Sequence, residues 1–171
     1  RDRGGDEFRQ IFRTDVATGV TTMVSDGGRS QNDLGPWSRA GDRMAYDSTR
    51  RNGADRDIYI VDPKDRATDR LLLTLEGGGW GAMDRSPDDT TLAVLEFASI
   101  NGSYLWVADV ATGEKTLVTP KVKGELVSYG GAQWSADGKG LWVTTDRDAE
   151  FRRLAYLDLA SGEHRYYTTE I

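Results

Sequence analysis

Apolar residues along this chain fall in short runs separated by polar turns, and no useful length shows the three-and-four spacing of an amphipathic helix. One kind of run follows a turn centred on serine: Met44-Ala45-Tyr46, Leu92-Ala93-Val94-Leu95 and Leu141-Trp142-Val143-Thr144-Thr145. A second kind ends at an aspartate: residues 8–14, Ile58-Tyr59-Ile60-Val61, Tyr104-Leu105-Trp106-Val107 and Leu154-Ala155-Tyr156-Leu157. A Gly or Asx turn then leads into a third run, at residues 20–24, 71–75, 116–118 and 165–168. Alternating, β-rich runs bounded by turn residues predict strands joined by hairpins.

The pattern repeats. Asp15-Val16-Ala17-Thr18-Gly19 recurs unchanged at Asp109-Val110-Ala111-Thr112-Gly113, with variants at Asp62-Pro63-Lys64 and Asp158-Leu159-Ala160-Ser161-Gly162, so the leading aspartates stand 47, 47 and 49 residues apart. A second series keeps step: Trp37-Ser38-Arg39-Ala40-Gly41-Asp42, Arg85-Ser86-Pro87-Asp88-Asp89 and Trp134-Ser135-Ala136-Asp137-Gly138-Lys139, with serines 48 and 49 apart. Two independent markers on one period establish a repeat of four strands, here lettered A to D, and four-stranded hairpin units of this length are the blades of a β-propeller. The expected fold is all-β: a partial β-propeller of about three and a half four-stranded antiparallel blades. Residues 1–171 form a single segment, with repeats at 8–25 (a C–D hairpin only), 34–75, 80–119 and 129–168. Propellers close with four to eight blades, so the chain reads as part of a longer ring.

The markers are structural. Aspartate at the head of a C–D turn accepts backbone N–H groups two residues on, and the closing glycine supplies positive φ. Trp37 and Trp134, at the end of strand A, are expected to fill the wedge between blades. Arg85 takes that place in the middle repeat, leaving its wedge either wetter or filled by Trp80. Antiparallel order puts the A–B turns (39–42, 87–90, 136–140) and C–D turns (62–69, 109–114, 158–162) on one side. The longer B–C and D–A loops, at 25–33, 50–56, 119–128 and 146–150, lie on the other. Function on a rigid scaffold concentrates in such loops, which makes Arg50, Arg51, Asp55, Arg147 and Glu150 the candidate contacts for a partner or substrate.

Composition narrows the chemistry. With 22 basic and 28 acidic residues the net charge is −6. Interleaved Arg and Asp on an acidic chain argue against nucleic-acid binding. Cysteine is absent, which removes disulfides and thiolate chemistry. No run approaches the roughly 20 apolar residues of a membrane span. The chain opens Arg1-Asp2-Arg3, without a signal peptide; the compartment stays open, with periplasm or secretion favoured over cytoplasm. The one histidine, His164, is expected at an exposed outer strand. No Gly-x-Ser-x-Gly elbow occurs, Gly77-Gly78-Gly79-Trp80-Gly81 matches no phosphate loop, and no metal-ligand spacing is present. Catalytic residues, cofactors and metals are therefore expected to be none. Paired carboxylates are left to geometry. Glu96, among apolar residues 92–97, aligns with Ser48 and Thr145 and is expected on the wet side of strand B.

The units resemble the WD40-like repeats of TolB and of prolyl oligopeptidase family propellers, whose turn reads Trp-Ser-Pro-Asp-Gly; here only Ser86-Pro87-Asp88 keeps the proline, and Asp42 and Asp89 depart from the final glycine. Arg3-Gly4-Gly5-Asp6-Glu7-Phe8, the stretch from Leu71-Leu72-Leu73 to Trp80, Ser99-Ile100-Asn101-Gly102-Ser103-Tyr104-Leu105, Tyr129-Gly130-Gly131-Ala132, Thr144-Thr145-Asp146-Arg147-Asp148 and residues 151–158 are similar to bacterial peptidases of that family. The resemblance implies a propeller stacked on an α/β-hydrolase domain of the same parent chain, which carries the catalytic triad while the propeller gates peptide substrate. The alternatives are a non-enzymatic TolB-like binding propeller of the cell envelope and a propeller glycosidase.

Overall fold

The computed structural model describes residues 4–168; Arg1, Asp2 and Arg3, the last belonging to the first resembling segment, lie outside the described residues. The architecture is all-β. In chain order the strands are β1 (Phe12–Thr14), β2 (Thr21–Met23), β3 (Asn32–Trp37), β4 (Met44–Ser48), β5 (Asp57–Asp62), β6 (Asp65–Leu73), β7 (Trp80–Arg85), β8 (Thr91–Ser99), β9 (Gly102–Asp109), β10 (Lys115–Leu117), β11 (Tyr129–Trp134), β12 (Gly140–Thr145), β13 (Arg153–Asp158) and β14 (His164–Tyr166). They make a β1–β2 hairpin and three antiparallel four-stranded sheets, β3–β6, β7–β10 and β11–β14, each with neighbours in chain order. The half unit and three full units match the repeat. The chain divides into two compact units, residues 1–81 and 82–171.

Each unit has its own core. In the first, Ile11 and Val24 of the hairpin segment bury against Met44, Tyr46, Tyr59 and Val61 of the β3–β6 sheet. In the second, Ala93 and Leu105 of one sheet meet Tyr129, Ala132, Leu141, Val143, Ala155 and Leu157 of the next. Leu141 and Leu157 are wholly enclosed, each contributing about 2 kcal/mol of burial. Strand A bends in two sheets, with register shifts between Leu34 and Trp37 and between Tyr129 and Ala132. Gly35-Pro36 and Gly130-Gly131 sit at these bulges, where a strand tolerates a missing N–H or side chain.

The aspartate marker accepts the N–H two residues on, as expected, at Asp109 from Ala111 and at Asp158 from Ala160, and the serine marker is bonded within its turn as well. Ser38, Ser86 and Ser135 each accept a backbone N–H from the start of strand B, at 3.0 Å from Arg43, 2.9 Å from Thr91 and 3.1 Å from Gly140, and each donates to an aspartate of the turn. Asp15, Asp109 and Asp158 accept from the N–H three residues on and from its hydroxyl, at Thr18, Thr112 and Ser161.

Other expectations need correction. The C–D turn at 62–69 contracts to a hairpin in which Asp62 faces Asp65, with the excess taken up as a bulge in β6. Strands β8 and β9 run on to a tight tip at Ile100-Asn101, so this B–C connection is short. Trp37 is 49% exposed rather than enclosed. Arg85 is 2% exposed. Trp80 opens the strand that Arg85 ends, about 17 Å away at strand rise, and its indole N–H donates to Glu76 O; it does not fill that place.

Candidate functional site

The long-loop end of each unit gathers the charged side chains. In the first unit, Asp33 on β3 and Asp47 on β4 are cross-strand partners. Arg56, from the loop before β5, donates through Nη1 to both, and through Nη2 to Gln31 Oε1 at 3.1 Å. Arg9 grips Asp33 with both prongs, at 3.0 and 2.8 Å. Burial pushes Asp33 up, but hydrogen bonds from Arg9 and Arg56 outweigh it and leave the carboxyl below its ordinary value. Asp47 is more enclosed, and burial prevails over Arg56 to raise it to about 6. Asp33 and Asp47 thus share one guanidinium, an ion-pair clamp between strands A and B.

The candidates at 50–56 are drawn into the same scaffold. Arg50 lies 3.6 Å over the Tyr59 ring, pairs with Asp69 and donates to the Tyr46 hydroxyl at 3.0 Å, while that hydroxyl donates to Asp69 at 2.8 Å. The bulge in β6 brings Asp69 there. Arg51 meets Asp57 at 2.6 Å, Asp55 at 3.0 Å and Leu75 O at 2.8 Å. Asp55 also accepts from Gly77 N at 2.7 Å. Arg50 ties the B–C loop to strand D itself, and Arg51 and Asp55 tie it to the chain leaving that strand.

In the second unit the loop at 146–150 is held by its backbone: Arg147 O accepts from Arg153 and from the Tyr166 hydroxyl. The Arg147 guanidinium lies 3.7 Å from Asp148, which sits at φ 59. Glu150 is exposed. Next to this loop, His164 is half-buried instead of exposed. Its Nε2 lies 3.1 Å from the Tyr129 hydroxyl and its ring stacks on Tyr166. Burial, then the charge of Arg147, holds its pKa below the ordinary value. Glu96 is also partnered, accepting the Trp106 indole N–H at 2.8 Å and pairing with Lys121 at 2.8 Å; Lys121 lies 4.5 Å over the Tyr104 ring. Phe97, Ile100, Val122, Leu126 and Phe151 leave apolar surface bare at this end. Sequence reasoning did not find the Asp33–Arg56–Asp47 clamp or the Glu96–Lys121 pair, because cross-strand register and loop reach decide both.

No protein-family profile matches the chain. A curated relative, dipeptidyl-peptidase 5 of Porphyromonas gingivalis, is 27% identical over 143 residues, covering 77% of this chain and 20% of that protein. Among solved structures, a prolyl endopeptidase matches at TM-score 0.72 and 16% identity, over 96% of this chain and 26% of that one. TolB from Agrobacterium tumefaciens matches at TM-score 0.71 and 18% identity, over 96% and 56%. Puromycin hydrolase matches at TM-score 0.71 and 20% identity, over 97% and 28%.

The chain is a partial β-propeller.

The propeller spans a fifth of the curated relative and between about a quarter and a little over a half of these solved chains. They are the neighbours that its WD40-like turns imply. No helix among the described residues is long and apolar enough to cross a membrane, and no group of three potential metal-binding side chains is found among them.

Proposed function

We propose that this propeller is the non-catalytic, access-restricting part of a serine peptidase whose α/β-hydrolase domain belongs to the same parent chain. The observation that carries the reading is the sequence similarity to dipeptidyl-peptidase 5 over 143 residues, which extends beyond the repeat turns into the segments between them. The half-buried histidine is consistent with a structural part: His164 is engaged by the Tyr129 hydroxyl, with no serine nucleophile in that contact. On this reading the long-loop face meets peptide. Arg147 and Glu150, held on a loop fixed through its backbone, contact it directly, while Arg50, Arg51 and Asp55 shape the B–C loop of their own sheet.

The test is the full reading frame. A downstream Gly-x-Ser-x-Gly with Asp and His, covalent labelling of that serine by a fluorophosphonate, and turnover of short peptides in preference to folded protein support the proposal. In the active parent, Arg147→Ala and Glu150→Ala are expected to raise KM for peptides several-fold with unchanged Tm. A reading frame without a hydrolase domain overturns it. The similarity to TolB then favours a protein-binding propeller.

A further inference from the structure

We propose that the groove along the open edge of β1 is a seat for a β-hairpin built like the A–B hairpins of this chain, added to β1 as its missing strand B and then A. The inference rests on the fold and the repeat and is independent of the peptidase reading.

In the three full sheets every strand C has a strand B beside it, at β4–β5, β8–β9 and β12–β13, whereas β1, the strand C of the half unit, pairs with β2 alone. Ile11 O accepts from Val24 N, Arg13 faces Thr22, and Asp15 N donates to Val20 O. Alternation along an antiparallel strand then turns the backbone groups of the residues between, Phe12 and Thr14, toward the open side. That side is a groove. One part, of 450 Å³, reaches Gln10, Asn32 and Asp33; another, of 390 Å³, reaches Trp37, Met44 and Lys64; both share Phe12, Thr14 and Leu34.

The groove wall identifies its occupant. Trp134, immediately before its turn serine, packs on the cluster containing Ala93 of β8 and Leu105 of β9, strands B and C of the preceding sheet. Trp37 holds the same place before Ser38, yet it is 49% exposed, and Leu34 beside it is 67% exposed. What covers Trp134 and has no counterpart over Trp37 is a strand B. Strand B contributes Ala93 to that cluster, the seventh residue after Ser86; Ala45 is the seventh after Ser38. The occupant is expected to be built like the first two of these hairpins, with a small residue seven places beyond its turn serine, rather than like the third, which has Trp142 there.

The probe is a synthetic peptide of residues 80–99, the chain's own A–B hairpin, added to the full chain. Hydrogen exchange at Phe12 and Thr14 is expected to slow by about tenfold or more. Affinity is expected to fall by about tenfold when the chain carries Leu34→Asp or the peptide carries Ala93→Trp. Leu34 is exposed, so the variant chain retains its ellipticity. Unchanged exchange at saturating peptide, or equal protection by a scrambled peptide, would each overturn the proposal. Failure here leaves the hydrolase domain to be found or not by the separate test above.

Discussion

Asp57 Oδ2 receives Arg51 Nε at 2.6 Å while its Oδ1 receives the Leu75 amide at 2.8 Å, and the carboxylate is wholly buried. One side chain at the start of strand C thus holds both the B–C loop and the end of strand D. Asp57→Ala removes the acceptor from a buried N–H and the partner from Arg51, and is expected to cost about 3 kcal/mol in denaturant unfolding. Asp55, more exposed in the same network, is expected to cost distinctly less on replacement by alanine. Equal losses for the two variants would contradict this division.

The A–B turns need a residue at positive φ, supplied by Gly41 (71°) and Gly138 (69°) but by Asp89 (60°) in the second sheet. The left-handed conformation crowds Cβ against the backbone. Asp89→Gly is expected to stabilise the chain by about 0.5–1 kcal/mol, raising Tm by about 1–4 °C in calorimetry. A lower Tm would show that the Asp89 side chain contributes more than its backbone costs.

Asp109 is held below the ordinary value of 3.8 by the Thr112 N–H and hydroxyl. A carboxylate lowered on folding adds stability above its unfolded pKa, and the increment is lost as pH falls through the folded one. The Tm gap between the chain and Asp109→Asn is therefore expected to be constant above about pH 5 and to close below 3.8. Asp15 and Asp158, held the same way by Thr18 and Ser161, are expected to behave alike. A pH-independent gap would remove the charge from the account.

His164 works in the opposite part of the scale. Burial, then Arg147, lowers its pKa from 6.5, so the unfolded chain binds its proton more readily. Stability is full above 6.5 and falls as pH drops from there toward the folded pKa. His164→Gln is expected to flatten that decline, measured as Tm against pH between about 5 and 7.5. An NMR titration midpoint for His164 at or above 6.5 would refute the assignment.

The turns were legible because each carries its marker at a fixed offset: Ser38, Ser86 and Ser135 recur with the period, as do Asp15, Asp109 and Asp158. A third marker passed unnoticed. The hydroxyls of Ser25, Thr119 and Thr168, just beyond strand D, accept from strand C at Ile11 N, Leu105 N and Leu154 N; in the β3–β6 sheet the lock reverses, with Asp57 of strand C accepting from Leu75 N. Serine in one repeat, threonine in two and a carboxylate from the other strand in the fourth hide a common role behind different letters. The Asp33–Asp47 clamp was hidden for another reason: its register follows a bulge between Leu34 and Trp37 that turn spacing does not reveal. His164 was misjudged from its strand alone, since Tyr129 reaches it from the far side of the same sheet.

Trp142 stands seven residues after Ser135, where the other two sheets have Ala45 and Ala93. It meets Tyr156 at 5.3 Å and Tyr167 at 5.1 Å, both edge-on, and Trp142, Leu154 and Tyr167 are 36%, 38% and 60% exposed. Contiguous apolar surface of this kind drives association in water, and the open edge of β1 adds unpaired backbone groups to the isolated chain. The chain on its own is expected to show concentration-dependent mass in sedimentation. Trp142→Glu with Tyr167→Ser is expected to reduce the associated fraction several-fold while far-UV ellipticity is retained. If the double variant leaves association unchanged, the aromatic face is not its cause and the β1 edge is the remaining source. A wild-type chain that is monomeric at every accessible concentration and melts cooperatively would contradict both.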